Sequence, residues 1–242
     1  MKTRILCIVM AATIGLPATA VLADLTATFS QGDLAAKATF VQDGTYLRVT
    51  LENIAASGAR VPSDVLTGVF FDLDGVTLTP VRAVLGADSS VLYPQTGSGV
   101  DANGEVGGEF AYRDGLHGLP TGVHMTISSV GMGDLVGPPH LFPGSDLSPP
   151  NAPNGLNYGI VSGISPEANS KLTGSEPLIQ NAVIFTLAGL PGDYCLADKL
   201  ELYDVMFNYG TDFNPYGAPA PAAALLGGIG LSLVGLLQRR RS

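Results

Sequence analysis

The stretch 38-ATFVQDGTYLRVTLEN-53 decides the fold. It holds two runs of alternating apolar and polar residues, joined at Asp43-Gly44. In the second run Leu47, Val49 and Leu51 share one face, while Arg48, Thr50 and Glu52 share the other. A period of two is what an extended chain imposes on its side chains; a helix would mix the two sets. Asp-Gly between two such runs is a strong hairpin signal. Working outward, 25-LTATFS-30 sets Leu25, Ala27 and Phe29 on one side. The segment 66-LTGVFFDLDGVTLTPVRAVLG-86 repeats the scheme with Asp74-Gly75 at its turn, and 99-GVDANGEVGGEFAYRDG-115 turns at Asn103-Gly104.

Further runs follow at 122–131, 157–163, 178–190 and 198–210. About ten short strands with turns at this spacing predict an all-β domain over residues 24–217, a single β-sandwich of jelly-roll or immunoglobulin-like type. The best helical signal is Pro166–Leu172, one or two turns. Gly131–Gly155 is rich in Gly and Pro and reads as a long loop or flap, longer than most connections. No repeat with a fixed period is present.

Both ends differ from this body. Lys2 and Arg4 precede an apolar run that closes at small residues, the layout of a secretory signal peptide over residues 1–23. Val21-Leu22-Ala23 is the expected cleavage triplet, with Asp24 as the new first residue. Cys7 lies inside the apolar run rather than after it, which argues against lipidation. At the other end, Ala222–Leu237 carries no charge and would span roughly 24 Å as a helix, a short membrane crossing. Proline before it stops the helix from extending backwards. Arg239, Arg240 and Arg241 would remain on the cytoplasmic side. Of the 12 basic residues, two lie in the leader and three in the tail, whereas all 21 acidic residues lie between. Seven cations against 21 anions make an exported body that repels nucleic acid and suits divalent cations.

Pro219-Ala220-Pro221, a Gly- and Leu-rich apolar stretch and a terminal arginine cluster together resemble the PEP-CTERM sorting signal of Gram-negative bacteria. The match covers residues 218–242, with Ala220 where that family commonly has glutamate. The resemblance implies the export machinery and an exosortase-type membrane protease or transpeptidase as partners. It implies transient anchoring in the inner membrane, then delivery to the cell surface or extracellular matrix, with extracellular polysaccharide as a candidate partner.

Enzyme signatures are missing: no G-x-S-x-G, no H-E-x-x-H, no C-x-x-C and no phosphate-cradling glycine loop. The expectation is a non-enzymatic surface or matrix protein with a structural or adhesive role and no cofactor. The alternatives are a carbohydrate- or calcium-binding module and a secreted hydrolase. Calcium wants oxygen ligands, and two turns offer them: Asp72 with Asp74, and Asp101, Asn103 and Glu105, which alternate around Gly104. Those residues are also what Asp-Gly and Asn-Gly turns require by themselves. For a sugar, Tyr158 and Tyr209 are the aromatic candidates, each in an Asn-Tyr-Gly triplet; their plain alternative is packing at strand ends.

Overall fold

The computed structural model describes residues 24–94, 100, 102–117, 123–133, 135–147, 153, 155–164, 172, 176–213 and 215–217. The leader 1–23, the tail 218–242 with its expected helix 222–237, and most of the expected helix 166–172 lie outside the described residues. The described chain is all-β, arranged in two sheets. The first five strands are β1 (Leu25–Gln31), β2 (Leu34–Asp43), β3 (Tyr46–Asn53), β4 (Leu66–Phe71) and β5 (Thr79–Leu85). After them come β6 (Ser90–Leu92), β7 (Ala111–Arg113), β8 (Met125–Ser128) and β9 (Ile160–Val161). The last four are β10 (Leu178–Gln180), β11 (Ala182–Ala188), β12 (Met206–Tyr209) and β13 (Tyr216–Gly217).

The first sheet runs β1-β2-β3-β11-β5 and is antiparallel throughout. The second runs β13-β12-β4-β9-β10-β6, with β8 also paired to β4 and β7 to β8. The expected alternation holds in β3, where Leu47, Val49 and Leu51 are buried and Arg48 is exposed. Asp43 pairs with Tyr46, so the hairpin turn is Gly44-Thr45, one residue later than expected. Gly44, with φ +60°, then occupies the first central position, where a type II′ turn needs glycine. Asp74-Gly75 makes no hairpin. It lies on the link that carries the chain from β4 in the second sheet to β5 in the first, and Leu73 and Leu78 on that link are buried in the core. A local turn signal cannot distinguish a hairpin from a crossing between layers.

One apolar cluster joins the two sheets. Phe40 of the first meets Phe71 of the second edge-on, ring centroids 5.4 Å apart, and Phe29 reaches Phe207 at 6.2 Å. Each such ring buried contributes about 1.5–3 kcal/mol. β4 is buried on both faces because Phe70 points away from this cluster into a second one with Val130, Met132, Val136 and Met206. A register irregularity between Asn208 and Tyr209 makes room for Thr67 as the extra residue of β4. Its buried hydroxyl donates to the Gly210 carbonyl at 2.8 Å and accepts from Asn208 Nδ2 at 3.0 Å.

Within the Gly/Pro stretch 131–155, the described residues are packed rather than free. Val136, Phe142 and Leu147 are buried, and Phe142 N–H donates to the Phe110 carbonyl at 2.9 Å. Buried Glu109 accepts the Leu147 backbone N–H and fastens the stretch to the body. Gly108 lies so close that an added Cβ would collide with the Ser145 carbonyl. Glycine is there to let two backbones touch.

Candidate functional site

The sequence-derived candidates separate into three places. Phe71 and Met125 are in register between β4 and β8, so the next residues along, Asp72 and His124, face each other. Asp72 Oδ1 lies 2.8 Å from His124 Nδ1. Asp74 follows on the exposed link, where its carbonyl accepts from Tyr194 Oη at 3.5 Å. Partial burial, then the charges of Asp74 and Asp72, push the Tyr194 phenol up to about 12. Burial and the same Asp72 raise Asp204 above the ordinary carboxylate range. This end of the molecule therefore concentrates negative potential.

Elsewhere, Glu105 bridges to Val84 and its carboxylate pairs with Arg82. Asn103 sits in the turn beside Gly104, which has φ +72°, while Asp101 lies outside the described residues. Asp72 and Glu105 thus each have a basic side chain as neighbour, and the structure does not bring the two turns into one cluster. Among the described residues no group of three or more His, Cys, Asp or Glu is arranged to hold a metal ion.

The tyrosines are the clearest correction. Tyr158 is fully buried, with φ +57°, and Tyr209 is 4 % exposed on β12. Tyr209 packs between Phe29 and Tyr216, at 6.2 and 6.0 Å. Both rings belong to the core, so neither offers a flat face to a sugar. Asn-Tyr-Gly marks where a strand begins or ends with its ring turned inward, which is where an amphipathic ring packs well. The sorting residues Pro219, Ala220, Pro221 and Arg239–Arg241 and the cleavage residues Val21 and Ala23 lie outside the described residues. Asp24 is described and exposed.

A groove that the sequence did not announce opens at one end of the first sheet. It has a volume of about 510 Å³, and Glu52, Asn53, Ile54, Asp88, Ile164 and Asn181 are among its lining residues. Ligand sites span about 300–1,000 Å³. Two lining residues other than glycine have left-handed backbone, Asp88 at φ 56° and Asn181 at φ 74°. Asn and Asp tolerate that region best. Asn181 ties the walls together: its Nδ2 donates to the Asp88 carbonyl at 2.5 Å, its N–H to Val161 at 2.9 Å, and its carbonyl accepts from Asn53 N–H at 3.0 Å. Gly163 packs close beside it: a Cβ there would come within 2.6 Å of Asn181 Oδ1, which would have to move. The half-exposed Ile54 and Ile164 form an apolar rim. Two carboxylates and two amides line the groove without a cationic side chain, and Glu52 is paired with Lys37 at 2.6 Å. That chemistry disfavours anions and suits a neutral, hydrogen-bonding ligand with an apolar side. The only advance sign was Asn181 interrupting an apolar run, which reads equally well as a bend.

No protein-family model, curated protein or solved structure matches this chain.

Proposed function

We propose that this chain is an exported, non-enzymatic component of the cell surface or extracellular matrix, built on one β-sandwich and serving a structural or adhesive role. One observation carries the functional reading: an acidic body lies between a basic-then-apolar start and an apolar-then-arginine end. By the resemblance described above, that tail is a sorting signal handled by an exosortase-type membrane enzyme after export.

Mass spectrometry of the protein recovered from its own cells tests this reading. The expected termini are a start at Asp24 and an end between Ala218 and Pro221. Surface-exposed protein still ending in Arg241-Ser242 would overturn sorting by cleavage. The groove favours a second reading, a carbohydrate-binding module, in which Asn181 and Asp88 would meet hydroxyl groups and Ile54 or Ile164 the apolar face of a ring.

A further inference from the structure

We propose that the outer edge of β1 pairs, antiparallel, with β1 of a second copy of this chain about a two-fold axis at Thr28. The proposal goes beyond the export reading, and neither the leader nor the tail enters the argument. An open sheet edge exposes unpaired backbone groups, and proteins commonly guard it with short strands, proline, charge, bulges or a covering segment. Among the described residues every other edge has such a guard. β6 and β7 have three residues each, and the described part of β13 has two. β5 contains Pro80 and Arg82, shifts register against β11, and is overlaid by hydrogen bonds from Leu85 N–H to Gly104 and Val106 N–H to Ala83, both 2.9 Å.

β1, with the seven residues LTATFSQ, has no charge, no proline, no bulge and no shortening, and the single turn Leu202–Asp204 lies close to it. Among the described residues its backbone hydrogen-bonds to no other segment.

A second copy fits this edge by both charge and shape. With seven cations against 21 anions between leader and tail, two copies repel over most of their surface, and an uncharged strand is where they can meet. Of the flanking acids, Asp33 is already paired with Arg60. With the axis at Thr28, Thr26 lies opposite the second copy's Ser30, extending the row Thr26–Thr39–Thr50 that crosses the first three strands. On the inner face Ala27 lies opposite the second copy's Phe29, small against large. Such a contact is self-complementary and closes as a dimer, because the far edge β5 is guarded in both copies.

Sedimentation of the full chain purified in mild detergent tests the pairing. Thr28 is exposed and in register with Lys37 of β2, which already pairs with Glu52, so Thr28→Glu would share that cation within its own sheet while setting two carboxylates against each other across the axis. The expected result is a dimer for the unaltered chain and a dissociation constant raised roughly fivefold or more in Thr28→Glu, with its melting temperature retained. Thr28→Cys should form a disulfide-linked dimer on a non-reducing gel, beyond what Thr45→Cys at the turn yields. An unaltered chain that stays monomeric, a Thr28→Glu dimer as tight as the original, or equal cross-linking by the two cysteine variants would each overturn the proposal.

Discussion

Tyr194 is half-exposed beside the acidic end of the molecule, and its phenol is raised to about 12 from an ordinary value near 10, first by burial and then by Asp74 and Asp72. The folded state therefore holds this proton more tightly than the unfolded chain does. Its contribution to stability is complete below pH 10 and is lost as pH rises from about 10 through about 12. Melting temperatures measured across that window should fall less steeply for Tyr194→Phe than for the original chain. Equal slopes would mean that neither burial nor the neighbouring carboxylates raise this phenol in the folded state. Asp72 and His124 show another residue-scale effect. They are 52 positions apart in sequence yet face each other, because two antiparallel strands end together. Neither residue carries a sign of the other in its own neighbourhood of sequence.

Among the elements, the Gly/Pro stretch departs most from its composition. Phe142 sits within it yet is buried against Phe185, ring centroids 5.3 Å apart, whereas Leu135 in the same stretch is exposed. Phe142→Ala should cost about 3–5 kcal/mol in urea denaturation. Leu135→Ala should stay within about 0.5 kcal/mol. If the two cost the same, the stretch does not pack as described. The strands β1 to β3 were legible because one face is wet and the other dry, so their alternation survives in the sequence. β4 hid its orientation: buried on both faces and interrupted by the extra Thr67, it has no alternation to read. Tyr158 and Tyr209 misled because Asn-Tyr-Gly is compatible with a ring turned outward or inward, and only the opposite sheet decides which. The groove was illegible for a similar reason. Its walls come from four separated segments, which strand pairing and the hydrogen bonds of Asn181 bring together.

At the scale of the molecule, carboxylates outnumber cationic side chains three to one between leader and tail. Self-repulsion acts on the folded body wherever screening is weak. Raising ionic strength from about 10 mM to about 150 mM shortens the screening length from about 30 Å to about 8 Å. The melting temperature should rise over that range, most of all in sodium chloride titrations begun at low salt. A flat profile would show that the ion pairs of Arg48, Arg60 and Arg82 already neutralise that charge locally.

The closing strand has a mechanical consequence. β13 is held to β12 by two pairs, Met206 with Gly217 and Phe207 with Tyr216, and Tyr216 also rests on Phe29 at 5.3 Å. Tension applied to the chain beyond Gly217 would load those pairs one after the other, as a zipper is opened, instead of shearing them together. The strand would peel away at low force while the longer ladders of the first sheet stayed closed. A short terminal strand of this kind yields first, and the long ladders of the first sheet yield last.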